Sequence, residues 1–316
     1  CIRILQTLAL PLGYRAIHVM SGGKIPGEER AVNPRENRPM NGQGNPAQGH
    51  DTGPEQAGEE EAGFLNRGWG NNNSMNAMCH LSIVIPAYNE GNRIRKALEA
   101  SIAYLKAQAY ASEIIVVSDG SRDDTRAVAE SYQAAYPALR VMEYFPNRGK
   151  GYAVRTGMLA ARGERVLFMD ADYAVPIRYV EDGFRVLDAG NDAAIGSRGA
   201  KGAHMTQRQT PLRELASYIY TRVQNRWIKV DFVDTQCGFK MYTREAVQVL
   251  FSQQKLDSVI FDGELLFLAQ RSGLKVGEFG VEWEHQPDSR ITYNLRKSIR
   301  IFVELFKIRW LHRFGR

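Results

Sequence analysis

From Leu81 onward, short apolar runs alternate with longer amphipathic stretches, one pair about every 25–30 residues. That alternation constrains the fold more than any other feature. Strands joined by crossover helices lie parallel and right-handed in one sheet, and their functional side chains gather where strands end and helices begin. The pattern predicts strands at 81–86, 113–118, 139–144, 166–169, 192–196, 238–242 and 276–282. Helices are predicted at 92–109, 123–135, 151–161, 212–227 and 262–271. The expected class is therefore α/β, with a mostly parallel central sheet flanked by helices.

Residues 1–78 read differently. After a weakly apolar start, 22–76 is rich in Gly, Asn, Pro and Glu and has almost no aliphatic periodicity. Such a tract cannot bury enough apolar surface to offset the entropy of ordering, so 1–78 is expected to be a disordered low-complexity extension. The chain opens on Cys1 rather than Met, as would a fragment, a processed or lipid-modified chain, or a misplaced start. Met75 and Met78 are candidate starts just before the first strand. Nothing reaches the ~18 consecutive apolar residues of a membrane-spanning helix, so no span is expected. Cys1, Cys79 and Cys237 are too scattered for a metal knuckle or a disulfide framework, which favours a reducing, cytoplasmic setting.

The strand at 166–169 ends in Asp170-Ala171-Asp172. Two hard oxygen ligands one residue apart, at the carboxyl end of a sheet strand, suit Mg²⁺ or Mn²⁺ holding a diphosphate; a solvated acidic turn is the plain alternative. The first strand runs into Pro86-Ala87-Tyr88-Asn89-Glu90, and the second into Ser118-Asp119-Gly120-Ser121-Arg122-Asp123-Asp124-Thr125. Turn and helix-cap chemistry would account for both. Alternatively they face the crevice of Asp170 and Asp172, with Asp119 accepting hydrogen bonds from a nucleoside. In Asn147-Arg148-Gly149-Lys150-Gly151, glycines permit close backbone approach and the cations can neutralise phosphate. Neither a P-loop nor a G-x-G-x-x-G dinucleotide fingerprint is present.

In combination these segments are more specific. Their order and spacing resemble the family 2 inverting glycosyltransferases of the GT-A fold, over roughly 81–285. Gly196-Ser197-Arg198, Asp234-Thr235-Gln236-Cys237-Gly238-Phe239-Lys240 and Phe261-Asp262-Gly263-Glu264 resemble the polyprenyl-phosphate branch of that family, most closely its glucosylating members. The resemblance implies a UDP-glucose donor and a dolichyl or polyprenyl phosphate acceptor. It places Pro86, Ala87, Tyr88, Glu90 and Asp119 around the nucleoside, and Asp170, Ala171 and Asp172 at the ribose and metal. Lys150 would meet the diphosphate, and Arg198, Arg213 and Ser217 the acceptor phosphate. Asp262 or Glu264 would orient sugar hydroxyls or act as base, although Asp262 could equally cap the helix after it. Transfer of mannose, or transfer to a polysaccharide or small acceptor, keeps the same fold. Where related chains carry two acids before Gly-Ser, this one has Ser118 and Asp119, which bears on base recognition.

The remaining segment, 289–316, is basic and amphipathic. Leu295, Ile299, Phe302, Phe306 and Trp310 recur at helical spacing beside Arg296, Arg300, Lys307, Arg309 and Arg313. A helix lying on anionic lipid is expected, on the cytoplasmic face of a membrane and peripheral to it; packing on its own domain or on a partner subunit is the alternative. The formal charge of +6 raises nucleic acid as a partner. The tail accounts for much of that charge, and no basic-aromatic platform accompanies it, so no nucleic-acid partner is expected. The domain proper is expected to span 79–288. His204, His285 and His312 lack metal-ligand spacing and are expected at surface or packing positions.

Overall fold

The computed structural model describes residues 79–205, 211–284 and 295–313. In chain order it contains β1 (Leu81–Ala87), α1 (Ile94–Lys106), β2 (Ser112–Asp119), α2 (Thr125–Ser131), β3 (Leu139–Tyr144) and α3 (Lys150–Ala160). There follow β4 (Arg165–Met169), α4 (Val180–Asp188), β5 (Ala193–Ser197), β6 (His204–Met205) and α5 (Pro211–Ile228). The last elements are β7 (Phe239–Thr243), α6 (Arg244–Gln253), α7 (Phe261–Arg271), β8 (Val276–Gly280), β9 (Glu282–Trp283) and α8 (Leu295–Leu311).

Alternation along the strands decides which helix covers which face. Leu81, Ile83, Ile85, Ile114, Val116, Leu167 and Met169 point one way and pack with residues of α1, α2 and α4. Val84, Ile115, Val117, Val166 and Phe168 point the other way, against α3, α6 and α7. Both faces are thus covered, which is why these strands read as continuous apolar runs. The main sheet has the order β3-β2-β1-β4-β7-β5-β8. β1, β2, β3 and β4 run parallel, as do β5 and β8. β7 is antiparallel to both β4 and β5. The predicted strand at 276–282 divides, with β9 pairing β6 in a small second sheet.

Two helices absent from the sequence reading, α4 and α6, fill the turns after β4 and β7. Thr243 starts α6 by accepting a hydrogen bond from the Ala246 amide. A third cluster joins Ile195, Tyr220, Ile228, Leu256, Ile260 and Leu266 to Leu305 and Ile308 of α8. One face of the segment expected as a separate interface helix is therefore built into the domain. Its opposite face leaves Ile299, Val303, Phe306 and Trp310 exposed, Trp310 to 65%. Those positions step by four, three and four residues, one stripe along the helix. Among the described residues no helix is long and apolar enough to cross a membrane.

The Leu305 and Ile308 side chains are fully buried. Ile308→Ala should therefore lower unfolding stability by about 2–5 kcal/mol in urea denaturation. A helix carrying no packing role would give less than about 0.5 kcal/mol.

Candidate active site

β1 and β4 lie side by side, with β2 on the far side of β1, so successive crossovers leave in opposite directions between them. Such a switch point opens a crevice at the carboxyl ends of the strands. The loop after β1, the loop after β2 and Asp170-Ala171-Asp172 after β4 all reach this edge. Because β7 is antiparallel, its beginning rather than its end arrives there, with Phe239 opposite Met169. The 234–238 loop consequently joins the same edge, and so does Arg198 at the end of β5.

At the centre Lys150 Nζ lies 2.6 Å from Asp170 Oδ1. Burial alone would push the Lys150 ammonium down, but Asp170 and Asp262 hold it above the usual lysine value. Asp170 packs against backbone: a Cβ on Gly238 would lie 2.0 Å from Asp170 Oδ2, so a side chain there would push the Asp170 carboxylate aside. The Asp170 amide also donates to the Gly238 carbonyl at 3.0 Å. Asp172 Oδ1 accepts from the Ala174 amide at 3.1 Å. Burial and the neighbouring Asp170 charge push the Asp172 carboxyl above the usual range. Beneath them Asp262 pairs with Lys240, whose Nζ also donates to the Cys237 carbonyl at 2.8 Å. Burial raises the Asp262 carboxyl even against the pull of Lys240 and Lys150. Asp262 does not cap its helix; Ile260 occupies that position, without a side-chain cap.

The other expected residues fall into distinct settings. Pro86 and Ala87 are buried at the end of β1, and Tyr88 is exposed. Glu90 is held by Arg93 through two hydrogen bonds of 2.6 and 2.5 Å. The first two loops are stitched together, with the Asn89 amide on Ser121 Oγ and the Glu90 amide on Thr125 Oγ1. Asp119, expected to meet the nucleoside, places its carboxylate against the 147–149 loop. Oδ1 accepts from the Arg148 amide at 2.7 Å, and Oδ2 from the Gly149 amide at 2.9 Å and Asn147 Nδ2 at 2.8 Å. Three N–H groups converging on one carboxylate pin the turn, so it is not a loose basic loop.

Arg198, expected to face an acceptor phosphate, makes a bidentate pair with Asp234, Nε to Oδ2 at 2.5 Å and a terminal nitrogen to Oδ1 at 2.9 Å. Glu264 is fully buried; its oxygens accept from the amides of Lys255 and Leu256 and from His312 Nε2. Ala171 is buried between the two aspartates. Arg213 and Ser217 lie on α5, but their side chains fall outside the described residues, as does His285. Cys237 is buried, with its thiol pushed up to about 12 chiefly by burial, so it is no thiolate nucleophile. Lys240, Asp234 and His312 were assigned no site role from the sequence. Asp234 and Lys240 bound the 234–240 motif that carries the family resemblance, and Lys240 is also a charge inside an apolar strand; His312 carried no such signal.

Residues 82–251 match Glycosyl transferase family 2. The chain is 34% identical over 251 residues to dolichyl-phosphate beta-glucosyltransferase ALG5A of Trichomonas vaginalis, covering 76% of each. It is 35% identical over 224 residues to the Homo sapiens dolichyl-phosphate beta-glucosyltransferase, covering 67% of this chain and 69% of that one. In fold it is similar to glucosyl-3-phosphoglycerate synthase from Mycobacterium tuberculosis, solved with Mn²⁺, UDP-glucose and phosphoglyceric acid. That likeness has a TM-score of 0.54 at 19% identity, over 72% of this chain and 80% of the other.

Burial alone would raise the Asp234 carboxyl, but the Arg198 guanidinium outweighs it and holds the group below the usual range. A depressed folded-state value contributes stability that is present above about pH 4, the unfolded value, and is lost as pH falls through the folded one. Arg198→Met leaves a buried carboxylate without its partner and should cost about 3 kcal/mol near neutral pH. Urea denaturation against pH should show the gap between variant and wild type closing below about pH 4.

Proposed function

The chain belongs to glycosyl transferase family 2, and on that basis we propose that it moves glucose from UDP-glucose to the phosphate of a dolichyl or related polyprenyl phosphate. The observation that carries this reading is the Lys150–Asp170–Asp172 cluster at the switch point. It occurs in a chain whose relatives are named dolichyl-phosphate beta-glucosyltransferases. Pro86, Ala87 and Tyr88 line the nucleoside end of the crevice, with Glu90 fixed behind them by Arg93. Asp119 serves the donor through the loop it holds, by setting Arg148 and Lys150 at the diphosphate.

The acceptor is a phosphate monoester, anionic at neutral pH, and so needs little help from a base. Its oxygen attacks the anomeric carbon from the face opposite UDP, the bond to the diphosphate oxygen breaks, and the centre inverts. Lys150 stabilises the charge that develops on the departing diphosphate. The donor set fits a divalent cation. Asp170 and Asp172 are two hard carboxylates one residue apart at the strand end, and a cation between them relieves their mutual repulsion, although among the described residues no third such ligand joins them. Asp170 and Asp172 would hold Mg²⁺ or Mn²⁺, which supplies charge neutralisation on the diphosphate. Asp262, anchored by Lys240, orients the sugar. Arg198, with Arg213 and Ser217, receives the acceptor phosphate.

A lipid-tailed acceptor requires the site to sit at a membrane. The exposed stripe of α8, flanked by Arg300, Lys307 and Arg309, suits contact with anionic lipid. The free thiols of Cys79 and Cys237 suit the cytoplasmic face.

Radiolabelled UDP-glucose, dolichyl phosphate and Mn²⁺ or Mg²⁺ should yield lipid-extractable label, and Asp172→Ala should cut the rate by about a hundredfold or more. No label with the wild-type chain would overturn the assigned acceptor. In flotation with phosphatidylserine vesicles, Phe306→Ser or Trp310→Ser should each weaken binding about tenfold, from lost apolar burial.

A further inference from the structure

The turn bearing Lys150 is gripped from two sides. Asp119 holds its amino-terminal half, as described. The other half rests on 254–258, the segment after α6. There the Asp257 carbonyl accepts from the Gly151 amide at 2.8 Å and the Tyr152 amide at 3.3 Å. Gln254 Nε2 donates to the Gly151 carbonyl at 2.9 Å. The approach is so close that a Cβ on Gly151 would lie 2.6 Å from the Leu256 carbonyl oxygen.

The 254–258 segment belongs to no sheet or helix, and one buried carboxylate takes up two of its amides. Glu264 Oε1 accepts from the Lys255 amide at 2.9 Å and Oε2 from the Leu256 amide at 2.8 Å. A third group reaches the same carboxylate from the far end of α8: His312 Nε2, 2.6 Å from Oε1, with Glu264 0% and His312 4% exposed. A carboxylate only accepts, so the imidazole donates through Nε2. Further bonds bind these two pieces of chain. Lys255 Nζ donates to the Leu311 carbonyl at 2.8 Å, Ser258 Oγ to Glu304, and Arg271 to the His312 carbonyl.

We infer that Glu264 and His312 are positioning residues for donor binding: the carboxyl-terminal helix sets the place of the diphosphate-facing turn through one buried carboxylate. The connection runs from His312 to Glu264, from Glu264 to the amides of 255 and 256, and from the Asp257 carbonyl to the turn that begins α3. An apolar residue at 264 could fill the space, but it would strand two amides and an imidazole N–H. Stranded donors cost enough to displace a short irregular segment. The inference takes from the proposed function only the identity of the ligand, a uridine diphosphate.

The test uses the full chain with UDP and Mn²⁺. Calorimetry gives the dissociation constant, and hydrogen exchange reports the Gly151 and Tyr152 amides. His312→Ala should weaken UDP binding and speed exchange at both amides by about fivefold or more. His312→Gln, which keeps an N–H donor, should restore both. Val303→Gly, which weakens the same helix at an exposed position away from Glu264 and the 254–258 segment, should leave both near wild type. If His312→Ala folds and leaves exchange at Gly151 and Tyr152 unchanged, the inference is wrong. It is equally wrong if Val303→Gly reproduces the effect, which would reduce His312 to general helix stability. Should wild type bind no UDP, the donor assignment fails, while the exchange comparison still decides the positioning role.

Discussion

Negative charge crowded at one strand end governs the rest of this molecule. Asp170 and Asp172 stand one residue apart in a half-buried crevice, with Asp262 close beneath. Like charges in such a setting repel far more strongly than in water. Lys150 answers Asp170 from a neighbouring turn, and Lys240 answers Asp262 from inside the sheet. Neither lysine could do so alone. Lys150 depends on a turn whose amides are spent on Asp119 and the 254–258 segment, and Lys240 on a strand running against its neighbours. On the proposed function, a metal-bound diphosphate would complement the negative charge that remains.

The other end of the crevice is balanced differently. Arg198 is committed to Asp234, and the amides of Val233 and Asp234 are committed to Glu278 of β8. A guanidinium already paired in this way is fixed in orientation, its planar fork held by a carboxylate that shares its burial. On the proposed function, such an arginine would meet an incoming phosphate as a rigid donor rather than a mobile one, with little side-chain entropy left to lose on binding.

Much of this was legible in the sequence, for physical reasons. Strands buried on both faces announce themselves as apolar runs, so those at 81–86, 139–144 and 166–169 differ from β1, β3 and β4 by at most a residue at either end. The aspartates after 169 were readable because their strand was. The direction of β7 was not, since hydrophobic pattern carries no orientation. Nor was α4, a nine-residue helix with four charges and a glycine, whose apolar positions are too few to stand out. Asp119 exposes a subtler limit: sequence marks a carboxylate at a strand end, but tertiary geometry decides which N–H groups reach it first. His312 was beyond reach altogether, because its partner sits on another helix and neither residue carries a local sign of the other.

The antiparallel β7 has a consequence for how the chain assembles. The strands β1 to β4, with the helices between them, come from one contiguous stretch, in which β4 reaches back to pair Arg165 with Leu81. β5 cannot reach them directly; it joins the sheet only through β7, which comes later in the chain. Completion of the main sheet beyond β4 therefore waits for the chain to reach 239–243, since β7 links β5 to β4. The half built from β1 to β4 is complete in the chain before Arg198, Lys240 and Asp262 are reached. A nascent chain would thus own Asp170 and Asp172 before it owned the lysine and aspartate that pack beneath them.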